Sequence, residues 1–160
     1  MVQRCIKSKG SELSGTPLVR RGTNADLDEV ERLRRLWVAE DNTYGLTTTS
    51  PIQPSSWPEG LLLVAGAGTP LIGFVLAALH ERASDAVGHG GRYAEVDELY
   101  VAPEHRRSGV GGALLDSLVR EAEAQGISEF RVFSAARDQH GIMRFYERHG
   151  FTPWGVQFFR

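Results

Sequence analysis

Apolar residues in this chain follow two rhythms. Leu27, Val30, Leu33 and Trp37 recur every three or four positions, which predicts a helix running to about Glu40. Thr23 or Asn24 can cap it, and Asp26, Asp28 and Glu29 put negative charge in its first turn, where the helix dipole favours it. Val110, Leu114, Leu115, Leu118, Val119 and Ala122 form a second helical face that Gly126 is placed to end. Ile142, Met143, Phe145 and Tyr146 make a shorter third helix stopped by Gly150. Runs rich in apolar residues predict strands at 18–20, 61–64, 71–79, 93–101 and 130–133, and residues 151–159 supply one or two more. Gly68, Thr69 and Pro70 turn the 61–64 and 71–79 runs into a hairpin.

This order of elements predicts an α/β (α+β) fold, a mixed sheet with helices on both faces. The crossover rule makes the 93–101 and 130–133 strands parallel. Residues 1–16 are polar and read as a loose extension before a single domain at 17–160. Residues 41–60 carry Pro51, Pro54 and Pro58 beside Tyr44 and Trp57. A connection of that length is usually functional. Together with the polar stretch 81–91 it is expected to wall a ligand site, with Tyr44 and Trp57 stacking on a ligand, facing a cation or anchoring the packing.

Charge narrows the function. The formal net charge of −2 leaves no whole-molecule basic field for nucleic acid, so any anion site is a local cluster. No apolar run approaches the roughly 20 residues that span a bilayer. The one cysteine, Cys5, precludes an intramolecular disulfide and suits a reducing cytoplasm, and the first residues lack the apolar core of a signal peptide, so a cytoplasmic location is expected. No zinc-ligand spacing occurs, so no metal is expected.

The local cluster is the run Arg106-Arg107-Ser108-Gly109-Val110-Gly111-Gly112, which follows an apolar strand and a proline corner and opens a helix. Glycines let backbone N–H groups approach an anion, the helix start adds its positive dipole end, and the arginines add charge. These features suit a pyrophosphate, although packing alone can also ask for glycine at a helix start. The run lacks the Lys-Ser or Lys-Thr of a P-loop, and Leu114 breaks the G-x-G-x-x-G pattern, which disfavours a nucleotide-dependent enzyme.

The chain resembles the GNAT family, the Gcn5-related N-acetyltransferases. The acyl-CoA signature [Q/R]-x-x-G-x-[G/A] is matched by Arg106 through Gly111, after a strand ending Leu99-Tyr100-Val101-Ala102-Pro103. Downstream, Phe145-Tyr146-Glu147-Arg148-His149-Gly150-Phe151 matches the second half of a further family motif, and Gln139 stands where the family often has Asn. The resemblance implies a mostly antiparallel sheet of about six to seven strands, with its fourth and fifth strands parallel and splayed apart. It implies acetyl-CoA as cosubstrate, bound by the backbone of Arg106, Arg107, Ser108, Gly109, Val110, Gly111 and Gly112, by Leu99, Tyr100 and Val101 along the pantetheine arm, and by Gln139. A Val101 N–H near the splay would stabilise an oxyanion.

The implied activity is direct acetyl transfer to a primary amine, on a small molecule or a peptide, in a ternary complex. An ammonium ion must first lose a proton, and Glu98 or Asp97, beside the thioester, would accept it. Period-two alternation sends these two side chains to opposite faces. Glu98 is the first choice, because Leu99 and Val101 then face the packed helix; Glu95 and His80 are outside candidates. Tyr146 would protonate the leaving thiolate, the role the family gives a tyrosine here. A non-catalytic acyl-CoA sensor would carry the same cradle. A homodimer, paired through the apolar residues 154–159, is also compatible with the resemblance.

Overall fold

Five consecutive buried residues, Leu61–Ala65, form strand β2. A strand buried at every position needs both faces of the sheet covered, and helices cover them here. The computed structural model describes residues 18–47, 60–82 and 91–155. Within these, β1 (Val19–Arg21), α1 (Leu27–Ala39), β2, β3 (Gly73–Arg82), β4 (Gly91–Val101), α2 (Val110–Glu123), β5 (Glu129–Val132) and α3 (Gln139–Arg148) follow in that order. Short 3₁₀ turns at Asn24–Asp26 and Pro103–His105 precede α1 and α2.

The described sheet has five strands in the order β1-β2-β3-β4-β5. Its pairs are antiparallel except β4 and β5, which run parallel on either side of α2. Six to seven strands were expected. Residues 151–155 form no strand, and 156–160 lie outside the described residues, as do the 1–16 extension with Cys5, most of the 41–60 connection with Trp57, and most of the 81–91 stretch.

Alternation along the strands sorts the side chains into two cores. Leu61, Leu63, Ala65, Val75 and Ala77 meet Val110, Leu114, Leu115, Leu118 and Ala122 of α2. Leu62, Val64 and Phe74 meet Val30 and Leu33 of α1 on the other face. Helices α2 and α3 end as the sequence predicts: Gly126 (φ 79°) and Gly150 (φ 84°) adopt the left-handed backbone of a glycine C-cap. The acidic start of α1 does more than answer the dipole. Asp26 accepts a two-pronged ion pair from Arg20 (2.6 and 2.8 Å), and Glu29 accepts the Leu71 N–H (2.9 Å), pinning α1 to the hairpin turn.

One irregularity matters for the site. The β3–β4 register runs Glu98↔Leu76 and then Val96↔Ala77, leaving Asp97 unopposed in a β-bulge. The bulge flips the facing of the strand: Ala94 and Val96 lie in the α2 core, and beyond it Leu99 and Val101 pack there, while Tyr100 lies in the α1 core. The expectation that Asp97 and Glu98 point to opposite faces is therefore corrected. The extra residue breaks the period of two, and Asp97 shares the α1 face with Glu95, Glu98 and His80, whose charges it feels.

Candidate active site

β4 and β5 pair only from Tyr93↔Glu129 to Val96↔Val132. Beyond that point β4 continues to Val101, whereas the chain after β5 swings away to an isolated bridge between Thr43 and Ala136. The strands thus splay. The Ala102 N–H donates to Ile72 C=O (2.9 Å) on the β3 side. By alternation the Leu99 and Val101 backbone groups turn to the open edge, and there Val101 C=O accepts from Arg106 Nε (2.8 Å). A cleft of about 1830 Å³ opens along this edge. Of the residues expected to bind a carrier, it is lined by Leu99, Tyr100, Val101, Arg106, Arg107, Ser108, Gly109, Gly111 and Gly112. Val110 instead turns into the α2 core, and Gln139, first residue of α3, is absent from the lining, which takes Asp138, Gly141 and Ile142 from that end.

The glycine loop closes the cleft at the start of α2. Arg107 (φ 59°) and Gly109 (φ 86°) both take the left-handed backbone that turns successive N–H groups to one concave side. The first-turn amides of α2 have no partner within the helix, and its dipole adds positive potential there. This is a fit for an anion such as a pyrophosphate. The two arginines divide. Arg106 turns its guanidinium back onto Glu40 (2.7 and 2.8 Å) and Val101, whereas Arg107 is exposed and makes no ion pair among the described residues.

The glycines divide as well. A Cβ on Gly111 would meet only ordinary contacts with Phe145 and Val101, the nearest at 3.5 Å. A Cβ on Gly112 would sit 2.8 Å from Cε1 of His149. That imidazole is fixed by a 2.8 Å hydrogen bond between its Nδ1 and Asp116 and by packing against Phe145. Gly112 is thus a packing glycine where α3 crosses the first turn of α2. The His149 side chain is only 21% exposed.

The acidic pair has two different settings. Glu98 accepts both Nε and Nη2 of Arg34 (2.9 and 2.8 Å), and Arg34 is itself buried beneath α1. Burial pushes the Glu98 carboxyl up, and Arg34 only partly offsets it. Asp97 opens to the cleft, yet partial loss of water, reinforced by the charge of Glu95, pushes its pKa up as well. His80 lies 3.5 Å from Glu95 and stacks on Tyr93, and neither His80 nor Glu95 lines the cleft. Tyr146 lines the opposite wall, edge-on to Phe145 and Phe151. Burial pushes its phenol up to about 12, and its hydroxyl makes no hydrogen bond to a described residue.

Residues 42–46 form a strap over the open end. The Tyr44 N–H donates to Ala135 C=O (2.9 Å), and the Arg137 N–H donates to Asn42 C=O (2.9 Å). Tyr44 does face a cation, but it is the protein's own Arg137, 4.7 Å from the ring centre. Sequence reasoning missed Glu40, Arg34 and the Asp116–His149 pair, all formed across long stretches of chain. One signal was available for Glu40: a carboxylate at the C-terminal end of a helix has the wrong sign for the dipole.

Comparison with known proteins agrees with this geometry. Residues 28–151 match the family model of the acetyltransferase (GNAT) family. A mycothiol acetyltransferase of Saccharomonospora viridis is 34% identical over 133 residues, 79% of this chain and 39% of that protein. One from Thermobispora bispora is 31% identical over 119 residues, 73% of this chain and again 39% of the relative. The chain therefore spans about two fifths of the length of these curated relatives. Among solved structures, an aminoglycoside acetyltransferase from an uncultured soil metagenomic sample superposes with a TM-score of 0.72 at 18% identity, covering 93% of this chain and 98% of that one. A predicted acetyltransferase from Clostridium acetobutylicum, solved with acetyl-CoA, gives 0.67 at 15% identity, covering 91% and 96%. The splayed parallel strands, the glycine loop at the start of α2 and a family match over most of the sequence meet in one chain, which belongs to the GNAT acetyltransferase family.

Proposed function

We propose that this protein is an acetyl-CoA-dependent N-acetyltransferase that acetylates a primary amine on a small molecule by direct attack in a ternary complex. The observation that carries the reading is the cleft itself: anion-binding loop, splayed β4 edge, acidic pair and Tyr146 all line one continuous space. The relatives' names, which speak of mycothiol and aminoglycosides, support a small-molecule acceptor over a peptide.

Acetyl-CoA would supply an activated acetyl thioester. The loop amides of residues 107–112, with the Arg107 guanidinium, would hold its pyrophosphate, and Leu99 and Val101 would pair with the pantetheine arm through their open backbone edge. The Val101 N–H is suited to stabilising the tetrahedral oxyanion. Asp97 is the better placed proton acceptor, because both oxygens of Glu98 are engaged by Arg34 while Asp97 opens to the cleft. Its raised pKa makes it a stronger base than an ordinary aspartate. Tyr146, protonated throughout the neutral range, would return a proton to the leaving thiolate.

Calorimetric titration with acetyl-CoA, CoA and ATP in parallel tests the donor assignment, and an amine panel followed by thiol release tests turnover. Micromolar acetyl-CoA binding, no ATP binding and amine-dependent thiol release are expected. Acetyl-CoA binding with no release from any amine would leave an acyl-CoA-binding module instead, and no acetyl-CoA binding would overturn the reading.

A further inference from the structure

Glu40, at the end of α1, gathers more hydrogen bonds than any capping role requires. Its carboxylate accepts Nη2 and Nη1 of Arg106 (2.7 and 2.8 Å), the Tyr100 hydroxyl and the Asn42 side-chain amide (2.8 Å). A carboxylate there opposes the helix dipole, so α1 alone gives no reason for it. Burial works against its ionisation, yet the Arg106 and Tyr100 bonds hold its pKa below the ordinary glutamate value.

What those partners do is more telling. Arg106 is the first residue of the anion loop, and its Nε also grips Val101 C=O at the splayed edge. Its guanidinium lies 5.4 Å from the ring centre of Tyr100, which is 3% exposed and stacked on Trp37 at 5.6 Å. Trp37 Nε1 in turn donates to the Thr43 hydroxyl (2.9 Å), and Asn42 and Thr43 begin the strap. One carboxylate thus fixes where the loop leaves β4 and where the strap leaves α1. With Glu40 neutralising it, Arg106 braces the loop, and Arg107 is left as the loop's outward cation.

We infer that Glu40 is a positioning residue for the donor site: through Arg106 it sets the glycine loop so that the loop amides converge on the pyrophosphate. The inference rests on the acetyltransferase reading.

The test is CoA affinity by calorimetry for the wild type, Glu40→Gln, Arg106→Gln and the double variant, each measured well below its own melting temperature. Glu40→Gln is isosteric but uncharged, and it should weaken CoA binding about tenfold, the scale of one charge-assisted hydrogen bond. Arg106→Gln should weaken it by a similar factor, and the double variant should be no weaker than either single one, because both act through one brace. In turnover the loss should fall on the KM for acetyl-CoA, with kcat little changed. Should Glu40→Gln fail to fold, Glu40→Asp keeps the charge but retracts it, and should show the same non-additivity with Arg106→Gln. Wild-type CoA affinity in Glu40→Gln, tighter binding because a freed Arg106 meets the phosphates, or multiplying losses in the double variant would each overturn the inference. Failure of the wild type itself to bind CoA would instead overturn the acetyltransferase reading.

Discussion

Replacing Gly112 by Ala asks whether that glycine serves an anion or a neighbouring helix. The new Cβ would lie 2.8 Å from Cε1 and 3.0 Å from Nε2 of His149, inside contact distance, so the imidazole must move. Moving it breaks the 2.8 Å bond to Asp116, at a cost of roughly 1 kcal/mol. Against this, alanine gains up to about 1 kcal/mol over glycine in a helix. Gly112→Ala alone should therefore be near neutral. In a His149→Ala background the clash is gone, and the same substitution should stabilise by up to about 1 kcal/mol. Urea unfolding of the four proteins closes the cycle, and a coupling of about 1 kcal/mol between the sites is expected. CoA affinity supplies the functional arm: the double variant should bind as His149→Ala alone does. Additive stabilities, or CoA binding that falls with Gly112→Ala in both backgrounds, would refute the packing argument and return Gly112 to the anion site.

Four further outcomes follow from the acidic pair and Tyr146. Asp97→Asn should abolish turnover with little effect on CoA affinity, whereas Glu98→Gln should act chiefly on stability; comparing kcat with unfolding midpoints separates them. The Asp97 pKa is raised in the fold, so the native state binds this proton more readily than the unfolded chain, and the ionised carboxylate costs stability at neutral pH. Asp97→Asn should accordingly be the more stable protein at neutral pH, with the difference closing as pH falls through the Asp97 pKa; a difference that widened on acidification would contradict the assignment. Tyr146→Phe should keep CoA binding and lose turnover, and unchanged turnover would remove the acid role. Arg34→Met leaves Glu98 buried without its ion pair and should cost about 3–5 kcal/mol by chemical denaturation, most of it recovered in Arg34→Met with Glu98→Gln.

The periodic parts of the fold were legible because they depend on near neighbours. Leu114, Leu115, Leu118 and Ala122 declare the buried face of α2 by their spacing alone, and all four are buried as expected. The bulge at Asp97 was not legible. It exists only in the register between β3 and β4, and nothing in the local string Glu95-Val96-Asp97-Glu98 marks which residue goes unopposed. The ion pairs share this opacity: Arg34 meets Glu98 across 64 positions and Arg106 meets Glu40 across 66, distances that only tertiary packing brings to contact. The glycine loop could be read from the string because it is one contiguous segment, and of the candidate carrier residues all but Val110 and Gln139 line the cleft.

Adjacent residues of one type show where a sequence motif stops and geometry begins. Arg106 and Arg107 look equivalent in the string, as do Asp97 and Glu98, and Gly111 and Gly112. In the fold each pair splits into one member tied into the scaffold and one that is less constrained. Arg106 braces the loop while Arg107 (φ 59°) faces outward; Glu98 holds α1 through Arg34 while Asp97 opens to the cleft; Gly112 admits His149 while Gly111 has room. The bulge produces the carboxylate split, and the left-handed turn at Arg107 accompanies the arginine split, so both follow from breaks in backbone regularity. A regular strand continued from Ala94 and Val96 would have sent Glu98 into the α2 core, where a carboxylate is costly, and left one acidic side chain both to anchor the helix and to accept a proton. A group held by two arginine donors is poorly placed to take a proton from an amine, so on the proposed function the irregular residue would let the acidic pair support the helix and the chemistry together.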